Sequence, residues 1–93
     1  MDCNSIKYSD HAILQMFKRD IDTSDVEQVI QVGEIIKSYP DDKPYPSFLI
    51  LGFRREKPIH LVIAKNVQDD ECIVVTAYIP DPTIWMKDLK AKR

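Results

Sequence analysis

Glycine is almost missing from this 93-residue chain, which has two, and neither begins a helix. That excludes a glycine-rich phosphate loop, which needs several glycines opening onto a helix N-terminus. Two cysteines and two histidines without ligand spacing leave no basis for a metal site, and no cofactor is expected. Cys3 and Cys72 stand far apart with no CxxC, which predicts free thiols in a reducing cytosol. No run of about 18 apolar residues is present, so no membrane span is expected. Met1-Asp2-Cys3-Asn4-Ser5 also lacks the basic start and apolar centre of a signal peptide, and the expected location is cytoplasmic. Positive charge is not in excess. Thirteen basic residues face fifteen acidic ones for a net charge of −2, which argues against simple electrostatic coating of nucleic acid.

What is present fits one domain over residues 1–93. Apolar residues make up 44% and charged residues 30%, a balance typical of a globular chain. A chain of this size buries about 60–65% of its unfolded surface, enough for a modest core. There are no internal repeats or low-complexity segments.

Ser9 is a plausible N-cap for a first helix running to about Asp20, with Asp10 favourably placed on the helix dipole. Ser24-Asp25-Val26-Glu27 has capping-box spacing for a second, short helix. That helix ends near Val32-Gly33, where the glycine suits a left-handed terminator. Four apolar or β-branched segments follow: Glu34 to Tyr39, Ser47 to Phe53, Ile59 to Lys65 and Cys72 to Ile79. Short connections between them predict an antiparallel meander. Pro80 ends the last strand, and Asp81-Pro82 offers an N-cap and N1 pair for a short C-terminal helix around Ile84, Trp85 and Leu89. The expected fold is therefore α+β, two N-terminal helices packed on a four-stranded antiparallel sheet.

Two places carry chemistry. On the first helix His11, Gln15, Lys18 and Arg19 fall within a wedge about 100° wide, opposite Ala12, Ile13, Met16 and Phe17. An imidazole beside two cations, with no carboxylate, is equipped to hold an anion and move a proton. On the strands, a hairpin closing around Gln68 to Asp70 sets His60 opposite Tyr78 and Val62 opposite Thr76, so imidazole and phenol can touch. A one-residue slip would separate them. Each candidate also has a structural reading. His60 is equally a half-buried residue bonded to backbone or tyrosine, His11 a solvated one, and Arg19 a partner of the helix dipole. Trp85 reads as an anchor for the terminal turn, and Tyr39 and Tyr45 as loop packing.

The whole pattern resembles a family. His11-Ala12-x-x-Gln15-Met16-x-x-Arg19-x-Ile21 is followed by Asp25-Val26 and Gly33. Then come Tyr39-Pro40-Asp41-Asp42-x-Pro44-Tyr45-Pro46-Ser47, Pro58-x-His60-x-Val62 and Thr76-x-Tyr78-x-Pro80-Asp81-Pro82-x-x-Trp85. It looks like a small bacterial family of uncharacterised domains grouped with the RelE-like and BrnT-like toxins of type II toxin–antitoxin systems. The resemblance implies a RelE-like fold, metal-independent endoribonuclease (hydrolase-class) activity on RNA and a cognate antitoxin. Cleavage of this kind starts with the ribose 2′-hydroxyl, which needs a base, an acid and a cation on the phosphate. Carried onto this chain, the catalytic set is His11, Arg19, His60 and Tyr78. His60 serves as base, His11 or Tyr78 as acid, and Arg19 with Lys18 on the phosphate. Gln15, Lys18, Arg54 and Arg55 would touch RNA. The alternative is a non-catalytic, toxin-like protein-interaction module, with scattered histidines and an exposed apolar surface near Tyr39, Tyr45 and Phe48.

Overall fold

The computed structural model describes residues 1–93. Seven elements follow in chain order: β1 (Ser5–Tyr8), α1 (Asp10–Lys18), α2 (Thr23–Val32), β2 (Glu34–Tyr39), β3 (Ser47–Arg54), β4 (Lys57–Asn66) and β5 (Glu71–Tyr78). The strands form one sheet in the order β1-β5-β4-β3-β2. β2 to β5 are antiparallel neighbours, whereas β1 lies parallel to β5, pairing Ser5 with Glu71 through Tyr8 with Val74. The expected four-stranded antiparallel meander is thus corrected to a five-stranded mixed sheet. The extra strand is four residues long, too short for its alternation to stand out from a loop, and its partner lies at the far end of the sequence.

The expected C-terminal helix is also absent. The Asp81 carboxylate accepts hydrogen bonds from the Thr83 amide and hydroxyl at 2.8 Å each. The Ile84 and Trp85 amides then turn back to the Asp81 carbonyl at 2.9 Å. One turn forms and stops, because Met86 N–H donates to the Ala91 carbonyl and Arg93 N–H to the Ile84 carbonyl, closing a loop instead of a helix. Local side-chain bonds of this kind compete with helix propagation.

The two helices start as their caps dictate. The Ser9 hydroxyl accepts from the Ala12 amide at 3.0 Å and donates to the Val75 carbonyl at 2.8 Å, fastening α1 to β5. The capping box of α2 lies two residues before the expected one: Asp22 and Asp25 each accept the other's backbone N–H, at 2.9 and 3.0 Å. Gly33 is extended (φ −71°), so it is no left-handed terminator. Its missing side chain serves close packing, since a Cβ there would lie 2.4 Å from the Val29 carbonyl and 2.7 Å from Ile50. At Gly52 a Cβ would meet Val29 at 2.6 Å. Both glycines therefore let α2 settle onto β3.

Pleating sorts the sheet into two faces. Ile50, Ile59, Leu61, Ile63, Val74 and Ala77 join Ala12, Met16, Ile21, Val26, Val29 and Ile30 of the helical layer in the main core. Burying each of the valine, leucine, isoleucine and methionine side chains among them contributes about 1.5–3 kcal/mol. The opposite face carries Leu49, Leu51, His60 and Tyr78 and is covered by residues 80–93, with Trp85 buried there. Two bulges interrupt the ladders, one in β2 between Ile35 and Lys37 and one in β5 across from Val62 and Ile63.

Cys3 and Cys72 form a disulfide with Cα atoms 5.5 Å apart, correcting the expectation of free thiols. The missed bond and the missed strand have one cause, because laying β1 along β5 is what carries Cys3 to Cys72. The Met1 amine donates to the Ile30 carbonyl at 2.8 Å, and the Lys65 ammonium donates to the Asp2 carbonyl, fixing the same segment. No helix is long and apolar enough to cross a membrane.

Candidate functional site

The hairpin register places His60 across from Tyr78, and Val62 across from Thr76. His60 Nδ1 lies 3.1 Å from the Tyr78 hydroxyl, and Nε2 lies 2.8 Å from the Leu89 carbonyl. A carbonyl only accepts, which assigns the proton to Nε2 and leaves Nδ1 to accept from the phenol. The ring is 0% exposed. Tyr78 meets it edge-on at 5.2 Å between centroids, and Trp85 at 4.5 Å and 90°. Burial pushes the imidazole pKa below its ordinary 6.5, opposed by the hydrogen bond to Leu89. Burial, and secondarily Tyr39, pushes the Tyr78 phenol above 10. The imidazole is therefore a neutral group with both nitrogens engaged, and it offers no lone pair to a 2′-hydroxyl.

The other half of the expected catalytic set lies elsewhere. α1 packs through Ala12 and Met16 into the core on the helical face, the same face as Leu61 and Ala77. His60 and Tyr78, the pleat neighbours of Leu61 and Ala77, point the other way. His11, Lys18 and Arg19 are exposed, and the Arg19 guanidinium donates to the Gln15 amide oxygen. The structure brings His60 to Tyr78, and Arg19 to Gln15, but it does not bring the two pairs together.

Arg54 and Arg55 sit where β3 turns into β4. The Arg54 guanidinium binds the Asp25 carboxylate at 2.8 Å and the Asp20 carbonyl at 2.6 Å, pinning that hairpin to the start of α2. The cleft beside it, about 1020 Å³, has no apolar lining and mixes Asp20, Asp22, Asp25 and Glu56 with Arg54, Arg55 and Lys57. With four carboxylates against three cations, the cleft has no excess of positive charge. No group of three or more histidine, cysteine or carboxylate side chains is arranged to hold a metal.

A surface that pattern reading missed lies on α1. Ile13 is 54% exposed, Leu14 50% and Phe17 86%. Placed on a helical wheel, these three occupy a sector about 100° wide, opposite the buried Ala12 and Met16 and next to the His11–Lys18–Arg19 flank. Of the four residues set opposite the polar wedge, Ala12 and Met16 are buried and Ile13 and Phe17 are not. The apolar residues of this helix span about 200° of its circumference, more than one contact face covers, and that width was the available signal. None of the four ion pairs in the fold involves Lys18 or Arg19, so the flank beside the strip carries two unneutralised cations. Around the expected surface, Tyr45 and Phe48 are half-buried and only Tyr39 is exposed.

Architecturally this is a mixed sheet with a helical layer on one face and an irregular cover on the other. Residues 8–79 match the family described as "Domain of unknown function (DUF4258)", and the chain belongs to that family. No curated protein and no solved structure matches it. The match carries no link to RelE-like or BrnT-like toxins.

Proposed function

We propose that this domain is a non-catalytic protein-interaction module that receives its partner along α1. The observation that carries the reading is the exposed strip Ile13–Leu14–Phe17 beside a cationic flank without carboxylate partners. Apolar side chains at i, i+1 and i+4 on one helix form a contiguous patch, and such patches mark docking surfaces. The complementary occupant is a protein segment with apolar side chains framed by carboxylates. A cognate antitoxin is the partner that the sequence resemblance brings to this proposal.

The ribonuclease reading keeps one supporting observation, the exposed His11, Lys18 and Arg19 on one flank of α1, and loses His60 as the base beside them. Cytoplasmic residence belongs to the same proposal and makes a demand. In a reducing compartment the domain must hold β1 in place with Cys3–Cys72 open.

The experiment is co-expression with the products of the genes flanking its own. A stable complex with one of them, lost on Phe17→Asp while the circular dichroism of the domain stays unchanged, is the expected result. RNA cleavage by the purified domain that disappears in His11→Ala and Arg19→Ala would overturn the module in favour of the nuclease.

A further inference from the structure

Residues 80–93 lie on the sheet face opposite the helices, and they are attached to it thinly. Every backbone–backbone hydrogen bond of this segment closes within it: Ile84 and Trp85 to Asp81, Met86 to Ala91, Leu89 to Met86, and Arg93 to Ile84. To the sheet it offers the Trp85 ring against His60, the Leu89 carbonyl on Nε2, and a largely exposed Lys90–Glu34 ion pair at 3.0 Å. Leu89 adopts φ 64°, the left-handed region that a branched aliphatic residue avoids, and it does so at the residue whose carbonyl reaches His60. An observed backbone outlier of this kind is a recurrent mark of switch segments.

The family match supplies an independent observation. It ends at residue 79, so His60 and Tyr78 lie within the matched residues and the segment covering them lies outside them. Beneath the cover Leu49 and Leu51 lie on the same face as His60, with Thr76 next to Tyr78 on that face and the imidazole–phenol pair under Trp85. With the cover in place both imidazole nitrogens are engaged. With it lifted, Nε2–H becomes a free donor on an open face beside the Tyr78 ring.

We propose that residues 80–93 are a releasable strap over a binding face centred on His60 and Tyr78, and that the ligand of the uncovered face is an aromatic ring carrying a hydrogen-bond acceptor. The strap itself defines that chemistry. Its Trp85 ring stands edge-on to the imidazole at 4.5 Å while the Leu89 carbonyl oxygen takes the Nε2 proton at 2.8 Å. A ligand that displaces the strap must replace both contacts, or it leaves a buried donor unpaired. This site is separate from the α1 strip, and its success or failure does not bear on that docking surface.

Native-state hydrogen exchange on the full chain tests the release. The Trp85, Met86, Leu89 and Arg93 amides are expected to exchange on the order of 100-fold faster than those of Leu61 and Ile63 in β4, through an opening that leaves the sheet protected. Equal rates, with the same denaturant dependence as the sheet, would overturn the strap, and this measurement needs no variant to fold. The ligand chemistry is tested with N-acetyl-tryptophanamide, which presents a ring and an amide acceptor. Saturable chemical-shift changes at His60 and Tyr78 are expected in the full chain carrying Trp85→Ala, and much weaker ones in the unsubstituted protein. If the probe binds the two proteins equally, or neither of them, the ligand assignment fails.

Discussion

Replacing His60 with alanine separates a structural imidazole from a catalytic one, because the two roles make opposite demands on stability. The side chain is fully buried and satisfies two partners, the Tyr78 hydroxyl at 3.1 Å and the Leu89 carbonyl at 2.8 Å. Deleting it leaves a cavity beneath Trp85, and truncating a buried ring of this size costs about 2–4 kcal/mol. Each orphaned partner that stays dry adds about 1–3 kcal/mol. The strap's loose attachment lets water reach at least Leu89, so a net loss of about 3 kcal/mol is the expectation for His60→Ala. With a urea m-value of about 1–1.5 kcal/mol per molar, the unfolding midpoint falls by about 2 M or more. Equilibrium urea unfolding followed by circular dichroism reads this directly. If the variant is too weak to fold, Tyr78→Phe gives a smaller step of about 1 kcal/mol through the same hydrogen bond. A His60→Ala protein that unfolds within about 0.3 M of the parent midpoint would refute the reasoning. An imidazole lining an open cleft as a general base would behave that way.

Acid should weaken the fold through the same residue. The folded-state pKa of His60 lies below 6.5 because burial disfavours its charge, whereas the unfolded chain titrates near 6.5. The unfolded state therefore binds more protons below that pH. The contribution of His60 is complete above about pH 6.5 and is lost as pH falls toward the folded value. Urea midpoints at pH 7.5 and 5.5 should differ less in His60→Gln than in the parent, and an equal pH dependence would remove this assignment. Opening the Cys3–Cys72 bond releases a closure spanning 69 residues, which in the chain-entropy account costs about 4 kcal/mol. Cys3→Ser should lower the urea midpoint under non-reducing conditions, and the parent should match it once dithiothreitol is added. A parent indifferent to reductant would mean that β1 is held without the disulfide.

Much of the site's geometry was legible in the residues, and the gaps have physical reasons. The hairpin closure pointed to His60 opposite Tyr78, but the register nearer the turn is one residue different, with Ile63 facing Val74 and Ala64 facing Ile73, and it is the bulge across from Val62 and Ile63 that brings Tyr78 to His60. Alternation does not reveal what covers each face. Both faces here carry buried residues, and nothing local to β4 tells a helical layer from a strap. For the same reason His11 and His60 looked combinable when they were not. The strap escaped detection because Asp81-Pro82 is as good a start for one turn as for a whole helix. β1 and the disulfide escaped together, since a parallel pairing between the two ends of a chain leaves no turn signature in either segment.

The irregularity between Ile35 and Lys37 gives the far side of the molecule a property of its own. β2 is the outermost ribbon there, and a regular one would present an even row of amides and carbonyls to any neighbour. The bulge breaks that row midway, and Lys37 stands at the break with its ammonium 5.7 Å from the centre of the Tyr39 ring. Two such ribbons meeting side by side would fall out of step and bring like charges together, a recognised safeguard against fibrous stacking. Straightening that stretch, for instance by deleting Ile36, should therefore show first as thioflavin-positive aggregates in concentrated solution.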